Sequence, residues 1–211
     1  MNEIITIHKN EPEFPARLLE TGSDCPEVIY CLGNVELLYR EKAVAVIGAR
    51  SCDRLGYNKA YQIAKDYAER GYVIVSGLAL GCDTAAHRAA LDAGGDTIAV
   101  VASGLDIVHP RENTALQQQI IDAGGLIISE QPLGVKANPT RLIARNRLQA
   151  ALSEAVILAQ CPEHSGSLHT MRFARKYHKR CLAAAFSHWN EANAGNRNLI
   201  ESGLATLIHE I

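Results

Sequence analysis

The chain has 211 residues, of which 47% are hydrophobic and 21% are charged, and its formal net charge is −2. This length suits one large α/β domain with a full core, and no apolar run approaches the roughly 18 residues that span a bilayer. The first residues are too polar for a signal peptide, and the six cysteines show no zinc spacing. We therefore expect a cytoplasmic protein without disulfides, metal or other cofactor.

The near-neutral net charge hides a strong asymmetry. Residues 136–180 carry nine Lys and Arg against two acids, whereas the remaining residues carry twelve basic and twenty-one acidic side chains. The basic residues could simply form a solvent-exposed face that binds no ligand. A basic segment attached to an acidic remainder favours a polyanion site.

In chain order, residues 1–42 predict an N-terminal extension packed on a sheet edge, with one strand candidate at 28–31. Residues 43–211 predict one doubly wound domain. Short apolar runs of the kind that form strands covered on both faces lie at 44–47, 73–75, 97–101, 126–128, 156–159, 181–185 and 205–208. Helical patterns at 59–70, 84–93 and 112–123 each end at glycine. These βα units predict a three-layer, mostly parallel α/β sheet, and residues 131–140 predict a long loop.

Two loops after predicted strands have the features of an anion site. Residues 48–51 read GARS and residues 76–87 read SGLALGCDTAAH. A strand that breaks on glycine before a helix presents N–H groups to an anion. We expect Ser76 and Gly77 to supply backbone donors and Arg50 to hold a phosphate. The G-x-G-x-x-G fingerprint and acidic ribose clamp are missing, which disfavours an NAD-dependent oxidoreductase.

Several polar residues near these loops have structural interpretations. Asp83 is predicted to be a helix N-cap and His87 a packed polar residue, although the two could instead form a hydrogen-bonded pair or half of a metal site. Asp106 and Asn113 are predicted to shape the next loop through side-chain-to-backbone bonds.

Two later segments carry the basic charge. Arg141, Arg145 and Arg147 fall within seven residues without a neighbouring acid, which favours phosphate or base contact over a solvated face. Further on, small residues begin a helix at an anion-receptive N-terminus, and one side of that helix is basic. The candidate residues in these segments are Arg141, Arg145, Asn146, Arg147, Ser165, Gly166, Ser167 and Arg172. We find no catalytic triad, carboxylate pair or nucleophile elbow.

These elements, in this order, resemble the DprA/Smf family of DNA-processing proteins. The matching stretches are VAVIGARS, SGLALGCDTAAHRAAL, TIAVVASGLDIVHPREN, LIISEQP, ARNRLQAALS and HSGSLHT. The resemblance implies an extended Rossmann-like domain that binds single-stranded DNA in a basic pocket, helps load RecA during natural transformation, and forms a homodimer without membrane contact. It places Arg50, Ser76, Gly77, Arg145, Asn146, Arg147, Ser165, Gly166 and Ser167 on the pocket motifs.

The chain departs from the family pattern at several places, among them Gln160 where Glu is typical and His109 where an aromatic residue is usual. Leu80 replaces a basic residue, Leu142-Ile143 stand where Phe-Pro is common, and Ala185-Phe186 stand where Pro-Gly is expected. The alternative is a nucleotide-binding sensor, or an enzyme similar to the lysine-decarboxylase-like phosphoribohydrolases. Their glutamate-bearing PGGxGTxxE motif is replaced here by SGSLHTMRFA, which argues against hydrolysis and leaves nucleotide sensing open.

Overall fold

The computed structural model describes residues 3–208, which form one sheet with helices on both faces. The strands are β1 (Ile4–His8), β2 (Val28–Gly33), β3 (Ala43–Ile47), β4 (Val73–Ser76), β5 (Thr97–Val100), β6 (Leu126–Ser129), β7 (Ala155–Leu158), β8 (Arg180–Ala184) and β9 (Thr206–Ile208). The helices are α1 (Ala16–Leu19), α2 (Arg54–Glu69), α3 (Cys82–Asp92), α4 (Thr114–Asp122), α5 (Pro139–Ala151), α6 (Ser167–Lys176) and α7 (Ala194–Glu201). The predicted spans 1–42 and 43–211 include residues 1–2 and 209–211, which lie outside the described residues, and the division at 42 stays a prediction.

The strand order is β1-β2-β6-β5-β4-β3-β7-β8-β9, and β3 to β9 run parallel. Strands β4, β5 and β6 lie on one side of β3, whereas β7, β8 and β9 lie on the other. This confirms the predicted doubly wound, mostly parallel sheet. The order reverses between β3 and β7, and such a reversal opens a crevice at the carboxyl ends of the strands.

The central strands are apolar throughout because both faces are covered. In β3, Val44 and Val46 pack toward α2 and α3, whereas Ala45 and Ile47 pack toward α5 and α6. All four side chains are buried. Alternate residues of one strand therefore serve two separate apolar layers, which fixes its register.

The N-terminal segment extends the sheet by two antiparallel strands. Strand β2 pairs with β6, and β1 pairs with β2 so that Ile7 lies opposite Ile29. Strand β1 was not among the predicted elements. Ile7 is buried but Ile5 is 42% exposed, so the apolar signal of this edge strand is weak.

Helix α2 begins five residues before the predicted position 59. Asp53 is its N-cap, and the Asp53 carboxylate accepts the Gly56 N–H at 2.8 Å. A Cβ at Gly56 would overlap the side chain of Gln160, so a helix-disfavouring glycine is required in the first turn. The predicted strand at 28–31 ends two residues before β2 does, and the bounds of β3 to β9 agree with the prediction to within one residue.

The structure also describes the hydrophobicity of the helices and the state of the cysteines. Across residues 3–208, every helix falls short of the length and hydrophobicity that crossing a bilayer requires. All six cysteines are free thiols, and Cys25, Cys31, Cys82 and Cys161 are buried.

Candidate functional site

A pocket of about 500 Å³ opens at the carboxyl edge of the sheet, where the strand order reverses. Its walls are the loops that follow β3 and β7, together with parts of α5 and α6. Six of the predicted site residues line it, namely Arg50, Arg145, Asn146, Ser165, Gly166 and Ser167. The fold therefore gathers side chains that lie up to 117 positions apart in the sequence.

Arg145 forms the floor of this pocket and is only 4% exposed. Its Nη1 donates to the carbonyl oxygens of Gly77, at 2.6 Å, and of Val100. Burial lowers the pKa of the guanidinium to about 10, a shift that Asp83 opposes and Arg50 reinforces. Its Nε, also buried, has no hydrogen-bond partner among the described residues. The pocket thus has a buried cation with an unused donor at its base.

Asp83 supplies the nearest opposite charge. Its Oδ2 accepts the N–H groups of Gly77 at 3.1 Å and Ala79 at 3.4 Å. Burial raises the pKa of this carboxyl, whereas Arg145 and the two N–H donors act in the opposite direction. The N-cap of α3 is Gly81, so the prediction that Asp83 occupies that position is wrong. The carboxylate instead holds the preceding loop.

His87 also holds this loop, through its imidazole ring. Its Nε2 accepts the Leu78 N–H at 3.3 Å, and its Nδ1 lies 2.8 Å from the Thr97 hydroxyl oxygen. That hydroxyl donates to the Ile74 carbonyl at 2.7 Å, which assigns the ring proton to Nδ1. Burial, reinforced by Arg145, lowers the pKa of His87 to about 3. His87 is therefore a neutral, packed residue that supports Leu78 in a left-handed conformation (φ 57°).

Asn113 and Asp106 make side-chain-to-backbone bonds of the predicted kind, but to the loops after β4 and β6 and not within their own loop. Asn113 Nδ2 donates to the carbonyls of Leu78 at 2.9 Å and Ala79 at 3.2 Å. The Asp106 carboxylate accepts the Gly134 N–H at 3.0 Å. Within residues 3–208, no group of three His, Cys, Asp or Glu side chains is arranged to hold a metal ion.

Ser76 and Gly77 lie outside the pocket lining, and the Ser76 hydroxyl and the Gly77 N–H are both engaged within the protein. The fully buried Ser76 hydroxyl donates to the Val46 carbonyl at 2.7 Å. The Gly77 N–H is taken by Asp83, so the expectation that it reaches a ligand is wrong. Glycine is nevertheless required, because a Cβ here would overlap the Arg145 Nη1 atom.

Arg50 is the exposed cation of the site. It follows β3, and its side chain lines the pocket above Arg145. Neither a hydrogen bond nor an ion pair engages its guanidinium within the described part of the chain. Arg50 lies close enough to Arg145 to lower the pKa of that residue. Two cations therefore converge here, and the outer one is free to bind an anion.

The N-terminus of α6 closes the pocket on the side of β7. The Ser167 hydroxyl donates to the Gly48 carbonyl at 2.7 Å, and Asn146 Nδ2 donates to the Gly166 carbonyl at 3.2 Å. The Ser165 hydroxyl accepts the Ser167 N–H at 3.3 Å. A Cβ at Gly166 would meet nothing within 4 Å, so this backbone faces open space.

Two of the predicted arginines lie outside the pocket. Arg147 pairs with Glu130 at 2.5 Å, and both side chains are only 15% exposed, so the expectation of no acidic partner is wrong. Arg141 donates to the Gln131 side chain at 3.0 Å and to the Lys136 carbonyl at 3.1 Å. These arginines brace the long loop before α5.

Arg172 lies in an adjoining cavity of about 300 Å³, which shares His164 and Ser165 with the main pocket. The rest of the basic side of α6 is partly neutralised, because Lys176 pairs with Asp24 at 2.5 Å. Arg172 is thus the basic residue of α6 nearest to the site.

Sequence reasoning missed part of the lining. Gln149, His164 and Pro139 border the pocket and were not among the candidates, whereas Leu142 and Ile143, which stand where the family has Phe-Pro, form an apolar side of it. Gln149 follows Arg145 by one helical turn, so the i, i+4 spacing could have found it. The apolar residues carry no chemical signal of their own.

The fold and the pocket together define a class of protein. It is an open, doubly wound α/β domain with a basic pocket at its topological switch point, where such sheets bind nucleotides and related anionic ligands.

Comparison with known proteins narrows this class to one family. A family model described as DNA recombination-mediator protein A matches residues 4–211. Protein Smf of Synechocystis is 35% identical over 95% of this chain and 51% of its own length. DNA processing protein DprA of Streptococcus pneumoniae is 39% identical over 85% of this chain and 63% of its own length. The chain belongs to the DNA recombination-mediator protein A family and spans about half to two thirds of these relatives.

Comparison with solved structures supports the same family assignment. The X-ray structure of DprA from Streptococcus pneumoniae superposes with a TM-score of 0.89 at 36% identity, covering 98% of this chain and 71% of that one. DprA from Helicobacter pylori, described with a single-stranded DNA binding mode, gives 0.86 at 33% identity, covering 100% and 94%. A molybdenum cofactor binding protein from Rippkaea orientalis, at 19% identity and 0.57, shares the fold alone.

We predict that Gly77→Ala destabilises the protein by about 1–3 kcal/mol, because the added methyl displaces the Arg145 guanidinium. Urea unfolding measures the change. The matched control is Gly166→Ala, which adds the same methyl in open space and should alter stability by less than about 0.5 kcal/mol. Equal stability of the two variants would contradict the role of Gly77.

We predict that His87 makes stability fall as the pH drops from about 6.5 toward 3. The unfolded histidine takes up a proton near pH 6.5, whereas the folded one remains neutral down to about pH 3. This contribution is at most about 1.4 kcal/mol per pH unit. Urea unfolding at several pH values should show a shallower dependence for His87→Gln. An unchanged slope would contradict the assignment of a buried neutral ring.

Proposed function

We propose that this chain binds single-stranded DNA in the pocket between Arg50 and Arg145, and that it acts as a recombination mediator. The observation that carries the proposal is the exposed Arg50 guanidinium, which has no partner within residues 3–208 and lines the same pocket as a buried arginine. The related protein from Helicobacter pylori has a described single-stranded DNA binding mode, which supports the choice of ligand.

Electrostatics favour a phosphate as the group that enters the pocket. A buried guanidinium is costly unless it is paired and fully hydrogen-bonded, and the Nε of Arg145 has no hydrogen-bond partner among the described residues. A phosphate oxygen would neutralise Arg50 and would reduce the repulsion between the two cations. Affinity would then depend steeply on salt.

The apolar wall of the pocket suits the rest of a nucleotide. Pro139, Leu142 and Ile143 lie on the α5 side, and Ile143 is 41% exposed. A sugar or base edge would bury this surface while the phosphate contacts the arginines. The pocket therefore fits one nucleotide of a longer strand.

We propose that the pocket binds its ligand and does not catalyse a reaction on it. Among the pocket-lining residues in 3–208, Asp83 is the acidic side chain, and its Oδ2 is engaged by two N–H groups of the loop. A carboxylate held in this way is poorly placed to act as a general base. Hydrolysis of nucleotides is the competing function, and release of free base from nucleoside monophosphates would establish it.

The experiment that tests the proposal measures binding of a labelled oligothymidylate of about 16 nucleotides across a salt series. We expect Arg50→Ala to weaken binding about tenfold or more at low salt and to lower the salt slope by about 1. Duplex and mononucleotide competitors show which ligand the pocket prefers.

The matched control is Arg40→Ala, which removes an exposed arginine before β3, at the opposite edge of the sheet. It should leave affinity and slope nearly unchanged. Equal affinity of the Arg50→Ala variant and the parent would reject the pocket. Stronger competition by mononucleotides than by single strands would favour a nucleotide sensor.

We further propose, on the family resemblance, that the chain acts in the cytoplasm as a homodimer that helps load RecA during natural transformation. The free cysteines fit a reducing compartment. We expect sedimentation velocity to give twice the monomer mass, and we expect RecA to assemble faster on single strands when the protein is present. Loss of this acceleration in Arg50→Ala would link it to the pocket, whereas a monomer without effect on RecA would reject this extension.

A further inference from the structure

We propose that Phe186 and Trp189, in the loop after β8, form a base-stacking subsite for a strand that occupies the pocket. Trp189 is the single tryptophan of the chain and is 38% exposed. The inference rests on the proposed function, because the ligand is a second base of the same single strand. None of the six stretches that match the family includes this loop, and Phe186 stands where the family pattern has Gly.

The two rings form one anchored and one open surface. Their centroids lie 6.2 Å apart, and their planes are inclined at 59°. Phe186 is half-buried against the apolar layer that includes Tyr57, and Lys59 Nζ lies 5.6 Å from the Phe186 ring centroid. Phe186 thus fixes the loop, while Trp189 keeps ring surface available to solvent.

This loop is attached to the wall of the pocket. Strand β8 is the neighbour of β7, and the segment after β7 includes Pro162, which lines the pocket. The Gly195 N–H donates to the Cys161 carbonyl at 3.0 Å, and a Cβ at Gly195 would lie 2.6 Å from the Pro162 carbonyl oxygen. The chain that follows Trp189 is therefore packed directly on the pocket loop. Strands β3 and β8 are separated by two strand spacings, about 10 Å.

The chemistry of the loop selects a base and not a phosphate. Glu191 follows Trp189 by two positions and is exposed, so this loop carries an acid beside the cation of Lys59 and has no excess of positive charge. An exposed indole face stacks on any nucleobase, and such stacking is tolerant of sequence. The guanidiniums of the pocket and the rings of this loop would thus contact different parts of one strand.

The unmodified protein reports this contact directly, because all indole fluorescence comes from Trp189. We expect the fluorescence to change on titration with an oligothymidylate of about 16 nucleotides. The midpoint of this change should equal the midpoint measured by the anisotropy of a labelled strand. Arg50→Ala should shift the midpoint to higher concentration and reach the same final change.

Removal of the indole tests the energetic contribution. Trp189→Ala should weaken binding of the strand about tenfold, measured by anisotropy. The matched control is Tyr39→Ala, which removes an exposed aromatic ring at the opposite edge of the sheet, before β3. It should leave the affinity unchanged.

The outcomes separate this proposal from the proposed function. If the strand binds without changing the Trp189 fluorescence, and if the Trp189→Ala variant binds it as tightly as the parent protein does, the subsite is rejected and the pocket stands. If Trp189→Ala changes the oligomeric state and not the affinity, the rings contact a second copy and the subsite is also rejected. If no strand binds the parent protein, both proposals fail.

Discussion

The buried guanidinium of Arg145 is the constraint on which the rest of the site depends. Its Nη1 bonds to the carbonyls of Gly77 and Val100, which join α5 to the ends of β4 and β5. Such a cation is tolerated only with an opposing charge nearby, which Asp83 provides while its Oδ2 also holds the loop N–H groups. Residue 77 must then be glycine, because any Cβ would occupy the position of the guanidinium. Positions 77, 83 and 145 are therefore one structural unit.

This unit leaves the site with more positive charge than the described chain balances. Asp83 offsets one cation, and Arg50 adds a second that has no partner in residues 3–208. Elsewhere in the basic segment, some of the cations are paired with acids, as Arg147 is with Glu130 and Lys176 is with Asp24. Some cations of the basic segment are thus used in internal contacts, whereas others are available to an anion. The available charge lies at the switch point of the sheet, where the fold also leaves the pocket open.

The fold was predictable because each central strand is a short apolar run, and most of the predicted helices end at glycine. The early start of α2 escaped prediction because Gly56 serves a contact with Gln160, which lies 104 positions away. The site was predictable only in outline. Arg145 and Arg147 are the same residue type two positions apart, about 200° around the helix, and the sequence does not say which one meets an acid. Glu130 reaches Arg147 through tertiary structure alone.

The departures from the family pattern gain a physical meaning when they are considered together. Leu142 and Ile143 give the pocket an apolar wall without an aromatic face, whereas Phe186 and Trp189 place aromatic faces beyond β7. Phosphates and bases alternate along a single strand, so a protein that carries guanidiniums in a pocket and aromatic rings on an adjoining loop contacts both in succession. Phosphate contacts weaken with salt because counterions are released, while stacking on a neutral ring involves no such release. A site divided in this way retains part of its affinity at ionic strengths that would empty a purely electrostatic pocket.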